Sequence, residues 1–139
     1  MFKNVQYDRN TFGITQQSLK VLRNTLAERI NHEITVLEIP TSEICSGFLI
    51  LDYNEKVAIF TGDGFRTDNR GEGGAGCRAA LALCSIYGID VHAWDMIELW
   101  PGDAIRQQLL DIANQFAEDC CRTIVPKDSQ PGYIDHCMR

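Results

Sequence analysis

The chain has 139 residues, of which 45% are hydrophobic and 23% are charged, and its formal net charge is -6 at pH 7. This length is typical of one domain, and the composition argues against a disordered chain. The negative charge repels polyanions, which argues against non-specific binding to DNA or RNA. We expect a single domain over residues 1–139.

The N-terminal sequence and the cysteines favour a cytoplasmic protein without a membrane partner. The first fifteen residues, MFKNVQYDRNTFGIT, contain no apolar signal region. No apolar run approaches the ~18 residues that a membrane-spanning helix needs. Without a signal peptide, we expect the six cysteines to be thiols in a reducing compartment.

The first half of the chain predicts one helix and three strands. Thr15 is a candidate N-cap of an amphipathic helix that reaches Asn31, because apolar residues recur at helical spacing: Leu19, Leu22, Leu26 and Ile30. Three apolar, β-branched runs then have strand length: Ile34–Ile39, Ile44–Leu51 and Lys56–Thr61. Short turn sequences between the runs favour an antiparallel arrangement.

The second half begins with a glycine-rich loop, since six of the eleven glycines lie between Gly62 and Gly76. A buried helix is predicted over Cys77–Tyr87, an alternating strand over Ile89–Trp94, and a last helix after a cap at Asp103. Residues 123–139 are rich in turn formers and predict an irregular C-terminal tail. The element order is α-β-β-β-loop-α-β-α. We therefore expect an α/β or α+β domain with a mostly antiparallel sheet of about four strands and two or three packed helices.

The glycine-rich loop is the main candidate binding site. The segment Gly71–Gly76 satisfies the pattern G-x-G-x-x-G and leads directly into the predicted helix. Glycines let backbone N–H groups approach a phosphate, and a helix N-terminus carries about half a positive charge. Arginines add bidentate donors for anions, and an aromatic ring in a polar loop offers a stacking surface. The predicted ligand-binding residues are Phe65, Arg66, Arg70, Gly71, Gly73, Gly74, Gly76 and Arg78.

The loop also departs from known phosphate-binding patterns. The preceding strand ends at Thr61, well before Gly71, whereas a dinucleotide-binding turn follows its strand at once. Three acidic residues cancel the charge of the three arginines, and no Walker A sequence is present. An ordinary surface loop, with Phe65 as an anchor to the body, is the alternative interpretation.

Our first hypothesis is a non-catalytic protein that senses or sequesters a small anionic ligand, such as a nucleotide or a cyclic nucleotide. The second is an enzyme: either a metal-dependent phosphoester hydrolase using Asp63, Asp68 or Glu72, or a thiol enzyme using Cys77 with His92 as a base. The third is a protein-interaction subunit whose loop orders on a partner. A homo-oligomer is compatible with the sequence.

The sequence identifies no cofactor and no metal site. The pairs Cys120-Cys121 and His136-Cys137 are adjacent, without the gap of two to four residues found in structural zinc sites. The loop acids do not match the EF-hand spacing. Cys77 and Cys84 lie on one helical stripe, where cysteine commonly acts as a small hydrophobic residue.

Overall fold

The computed structural model describes residues 1–124 as one α+β domain, with three helices and a mixed sheet of six strands. The helices are α1 (Thr15–Glu28), α2 (Gly71–Ile86) and α3 (Ala104–Ile124). The strands are β1 (Asn4–Gln6), β2 (Ile34–Pro40), β3 (Cys45–Asp52), β4 (Val57–Phe60), β5 (Phe65–Arg66) and β6 (Val91–Ala93). No helix in this part of the chain combines the length and the apolar character needed to cross a bilayer.

The sheet is antiparallel at its centre and parallel at both sides. Its strand order is β1-β4-β3-β2-β6, and β5 continues the ladder beside β3. The pairs β2/β3 and β3/β4 are antiparallel, as expected, whereas β1/β4 and β2/β6 are parallel. The prediction of about four mostly antiparallel strands was therefore only partly right. β1 has three residues and a single buried side chain, which is too little for a periodic pattern to reveal.

Alternating residues of the central strands fill two separate cores. Leu49 and Leu51 of β3 face α3, whereas Phe48 and Ile50 face α1 and α2. β2 alternates in the same way. Since both faces of the sheet are covered by helices, β3 is buried along almost its whole length.

The first and last helices lie close to their predicted positions. α1 begins at Thr15, but Ile14 occupies the N-cap position, and the Thr15 hydroxyl instead donates to the Gly64 carbonyl at 2.5 Å. α1 also ends at Glu28, three residues before the predicted Asn31. α3 packs its predicted apolar stripe onto the sheet through Ile105, Leu109 and Ile112.

The main correction concerns the glycine-rich segment. α2 begins at Gly71, so the G-x-G-x-x-G pattern forms the first turns of the helix and is not a loop. The first helical hydrogen bond there runs from Gly74 N to Arg70 O at 2.8 Å. Helix propensity ranks glycine low, but tertiary packing outweighs that preference here. At the other end of the chain, α3 includes residues 123 and 124 of the predicted tail, and residues 125–139 lie outside the described part.

Candidate functional site

A cleft of about 460 Å³ lies between α2 and the strands β2, β5 and β6. Its size falls within the range of small-molecule sites. It is lined by Glu38, Pro40, Arg66, Thr67, Asn69, Gly74, Cys77, Arg78, Leu81 and Ala93. These residues come from β2, β5, the β5–α2 connection, α2 and β6, so only the folded chain brings them together.

Three of the eight predicted ligand-binding residues line this cleft: Arg66, Gly74 and Arg78. Arg70 and Gly71 are exposed and lie at the start of α2, outside the lining. Gly73 packs against the side chain of Arg66, where an added Cβ would lie 2.6 Å from Arg66 Cγ.

Phe65 and Gly76 are parts of the core and not of a ligand surface. The Phe65 ring is fully buried and lies 5.0 Å from the Phe48 ring in an edge-to-face arrangement. A ligand has no access to it, so the predicted stacking role was wrong and Phe65 anchors its segment to the body. Gly76 lies against the Thr15 side chain, where a Cβ would come within 2.3 Å of Thr15 Cγ2.

The two arginines of the cleft differ in how their charge is compensated. Arg66 forms a bidentate ion pair with Asp68, with contacts of 2.9 Å and 2.5 Å. The hydrogen bond from Arg66 is the main reason that the pKa of Asp68 falls to about 2. Arg78 is exposed and donates to the amide oxygen of Asn69, which is neutral. The charge of Arg78 is thus more available to an anion than that of Arg66.

Glu38 lies at the inner part of the cleft. Its carboxylate Oε2 accepts long contacts from the Ser46 hydroxyl at 3.4 Å and from the Cys77 thiol at 3.8 Å. Ser46 is fully buried and Cys77 is 7% exposed, whereas Glu38 is half-buried. Among the described side chains, no basic group forms an ion pair with Glu38.

Sequence reasoning missed Glu38, although β2 contains a signal for it. In the run ITVLEIP, Glu38 is the only charged residue, and it shares the face of Val36, which is fully buried under α1 and α2. A carboxylate on the core-facing side of an inner strand requires partners, which makes it a candidate functional group. Leu81 and Ala93 were missed because nothing in the sequence places α2 beside β6.

Cys77 does not have the environment of a catalytic nucleophile. The predicted helix began at Cys77 and placed its thiol in the first turn. In the structure α2 begins six residues earlier, at Gly71, so the thiol lies in the second turn. Burial, together with the nearby Glu38 carboxylate, raises the pKa of Cys77 to about 11. His92, the suggested base, points to the opposite face of the sheet, where its ring lies 5.2 Å from Phe116. Its Nε2 atom is buried without a hydrogen-bond partner in the described part of the chain.

The acidic residues suggested for a metal-dependent hydrolase are also separated. Asp63 accepts from Gly13 N at 2.9 Å and from the Thr41 hydroxyl at 3.0 Å, which gives it a structural role. Asp68 is paired with Arg66, and Glu72 is exposed on α2. These three residues do not form a cluster of metal ligands within residues 1–124.

One other group of potential metal ligands is present in the described residues: His32, Asp52 and Glu55. The Asp52 carboxylate is fully buried, and its Oδ2 atom accepts from Arg29 Nε at 2.9 Å and lies 2.8 Å from His32 Nδ1. A guanidinium at that distance occupies the position that a cation would need. We therefore interpret the group as a structural ion-pair network that connects the end of α1 to the β3–β4 turn.

Comparison of the chain with protein-family models, with curated proteins and with solved structures found no match. The chemistry of the cleft is therefore the basis for a proposed function. That chemistry combines two arginines near the start of α2, one inner carboxylate and apolar walls from Pro40 and Leu81.

Proposed function

We propose that this protein binds a small anionic, nucleotide-like ligand in the cleft beside α2, and that it senses or sequesters the ligand without converting it. The observation that carries the proposal is the convergence of Arg66, Gly74 and Arg78 on one cleft of about 460 Å³. The sequence pattern by itself predicts these three residues as ligand-binding.

Arg78 is the main anion-binding group in this proposal. Its only hydrogen-bond acceptor in the described part of the chain is the neutral Asn69 amide, which a phosphate can replace. The N–H groups of residues 71–73 precede the first helical hydrogen bond of α2, but these residues lie outside the cleft lining, so the proposal does not depend on them. Arg66 is a secondary contact, since its charge is shared with Asp68.

Binding without turnover is favoured because the thiol of Cys77 has only the Glu38 carboxylate as a possible base among the described cleft residues, and that contact is long, at 3.8 Å. Cys77 has a pKa raised to about 11, so its thiol is protonated at neutral pH. Within residues 1–124, no histidine lines the cleft. The metal-dependent hydrolase of the second hypothesis would require a cluster of acidic ligands, and Asp63, Asp68 and Glu72 do not form one in the described part of the chain.

A thermal-shift screen of the full chain tests the proposal. The probes are nucleoside monophosphates, cyclic nucleotides and sugar phosphates, each with and without magnesium. A ligand at a hundredfold its dissociation constant adds about 2.7 kcal/mol to the unfolding free energy, which raises the melting temperature by several degrees. The shift should disappear in Arg78→Ala.

The matched control is Arg23→Ala, which removes an exposed arginine of α1 outside the cleft. Both variants should melt like the wild type without ligand. The proposal fails if no probe stabilises the wild-type protein, or if Arg78→Ala responds as strongly as Arg23→Ala. Product formed from any probe would contradict binding without turnover.

A further inference from the structure

Glu38 lines the cleft of the proposed function, but its carboxylate does not contribute to the binding of an anion. A carboxylate there repels a phosphate, so Glu38 must face a different part of the ligand. The positions of the residues indicate which part. Glu38 contacts the buried Ser46 and Cys77, whereas Arg78 is exposed at the mouth.

The inner end of the cleft is therefore acidic and the outer end is basic. Pro40, Leu81 and Ala93 contribute the apolar part of the lining. A ligand that suits this arrangement has a phosphate at one end and a flat, weakly polar group with hydrogen-bond donors at the other. A nucleoside phosphate has this form.

The chemistry of Glu38 selects among the bases. A carboxylate accepts hydrogen bonds and donates none. The contacts from Ser46 and Cys77 are long and reach only Oε2, which leaves most of the accepting capacity of the carboxylate for a ligand. Guanine presents two adjacent donors on its Watson–Crick edge, the N1–H and N2–H groups, whereas adenine presents one donor beside the N1 acceptor. Only guanine pairs both donors with the two oxygens of one carboxylate.

We infer that Glu38 makes this cleft selective for guanine nucleotides over adenine nucleotides. The inference rests on the proposed function, because it takes the phosphate to bind at Arg78. Glu38 is the specificity-determining residue, and Arg78 supplies affinity for any phosphate. The two residues therefore control different parts of the same complex.

Titration calorimetry of the full chain tests the inference with guanosine 5′-monophosphate, adenosine 5′-monophosphate and ribose 5-phosphate. The guanine nucleotide should bind the wild type at least tenfold more tightly than the adenine nucleotide, which is the effect of about one charge-assisted hydrogen bond. Ribose 5-phosphate should bind more weakly than the guanine nucleotide.

The Glu38→Gln variant should abolish the preference. An amide supplies one acceptor and one donor, so it can no longer accept from both the N1–H and the N2–H of guanine, whereas it matches the N1 acceptor and N6–H donor of adenine. We expect the affinity for the guanine nucleotide to fall at least tenfold, the affinity for the adenine nucleotide to rise, and that for ribose 5-phosphate not to fall, since the variant also removes a negative charge. A purely structural role for Glu38 would weaken all three together.

The outcomes separate the two proposals. Equal wild-type affinities for the two nucleotides would overturn the selectivity while leaving the anion site in place, and this comparison requires no variant. Unchanged ratios in Glu38→Gln would overturn the role of Glu38. No binding of any of the three probes would overturn this inference, and no response to the wider set of phosphates would overturn the proposed function itself.

Discussion

At the scale of single residues, five of the six glycines between Gly62 and Gly76 lie in close contact with neighbouring segments, and Gly71 is the exception. An added Cβ at Gly64 would lie 2.5 Å from the Ile14 backbone, and one at Gly62 would lie 2.7 Å from Thr11 Oγ1. Gly47 on β3 belongs to the same set, because a Cβ there would come within 2.3 Å of the Gly62 carbonyl oxygen. A methyl group at any of these positions would push neighbouring elements apart.

Gly76 provides a direct test of this spacing role. Gly76→Ala should lower the unfolding free energy by about 1–3 kcal/mol, because its Cβ would overlap Thr15 Cγ2, which would lie 2.3 Å away. Urea denaturation measures the loss.

Thr15→Ser is the matched background for that experiment. Serine lacks the methyl group but keeps the hydroxyl that donates to Gly64 O. In this background Gly76→Ala should be neutral or stabilising by up to about 1 kcal/mol, since alanine is the better helix former. An equal loss in both backgrounds would show that the overlap with Thr15 is not the cause.

The buried Asp52 makes stability depend on pH. Burial by itself raises the pKa of Asp52, but hydrogen bonds from His32 and from the backbone N–H groups of Glu55 and Asn54 outweigh it and hold the pKa below 3.8. The folded state thus binds a proton at Asp52 less readily than the unfolded chain, whose carboxyl pKa is about 3.9. The stabilisation is complete above that value and is lost as the pH falls through the folded-state pKa.

Asp52→Asn should therefore destabilise the protein most at neutral pH. We expect a loss of about 3 kcal/mol at pH 7, because Arg29 would lose its buried partner. The difference in unfolding free energy between the variant and the wild type should become smaller below about pH 4, where Asp52 begins to be protonated. Denaturation curves from pH 3 to 7 measure it, with Asp95→Asn, at an exposed position, as the control. A difference that is constant over this range would contradict the assignment.

At the scale of elements, the residue at which α2 starts determines whether the backbone N–H groups of the glycine-rich segment are free or are used inside the helix. As a loop, residues 71–76 would present backbone N–H groups to a ligand. As a helix, they use those groups internally from Gly74 onward. The glycines that appeared suited to a phosphate are therefore mainly packing residues.

Amide hydrogen exchange followed by NMR distinguishes these two states. In the folded protein, the Gly74 and Gly76 amides should be protected, since they lie in helical hydrogen bonds and are buried. The Glu72 amide precedes the first of these bonds and should exchange rapidly. Similar rapid exchange at all three positions would show that α2 starts later, near the predicted Cys77.

At the scale of the whole molecule, the cleft exists because the sheet has helices on both faces and a parallel strand at its side. β6 runs along β2 in parallel and brings Ala93 into the cleft. α2 lies over the same end of β2 and brings Cys77 and Arg78. Within residues 1–124, Cys45, Cys77 and Cys84 are free cysteines. Homo-oligomer formation stays a prediction.

The sequence by itself determined the elements that have a strong local pattern. α1, β2, β3, β4 and α3 have enough periodic apolar residues for their positions to be recognised within a few residues. β1 and β5 have three and two residues, which is too short for any period to appear. The helical start of α2 was missed because glycine has low helix propensity, and only contacts with Thr15, Arg66 and Asn69 explain its presence there.

The candidate site likewise contains some residues that the sequence predicts and others that only the tertiary structure places there. Arg66, Gly74 and Arg78 could be selected from the sequence because they lie near each other along the chain and because arginines near a helix start suit an anion. Tertiary structure alone decided that Glu38 joins them and that Phe65 is in the core. Both outcomes depend on pairing between segments far apart in the chain, which local preferences do not specify.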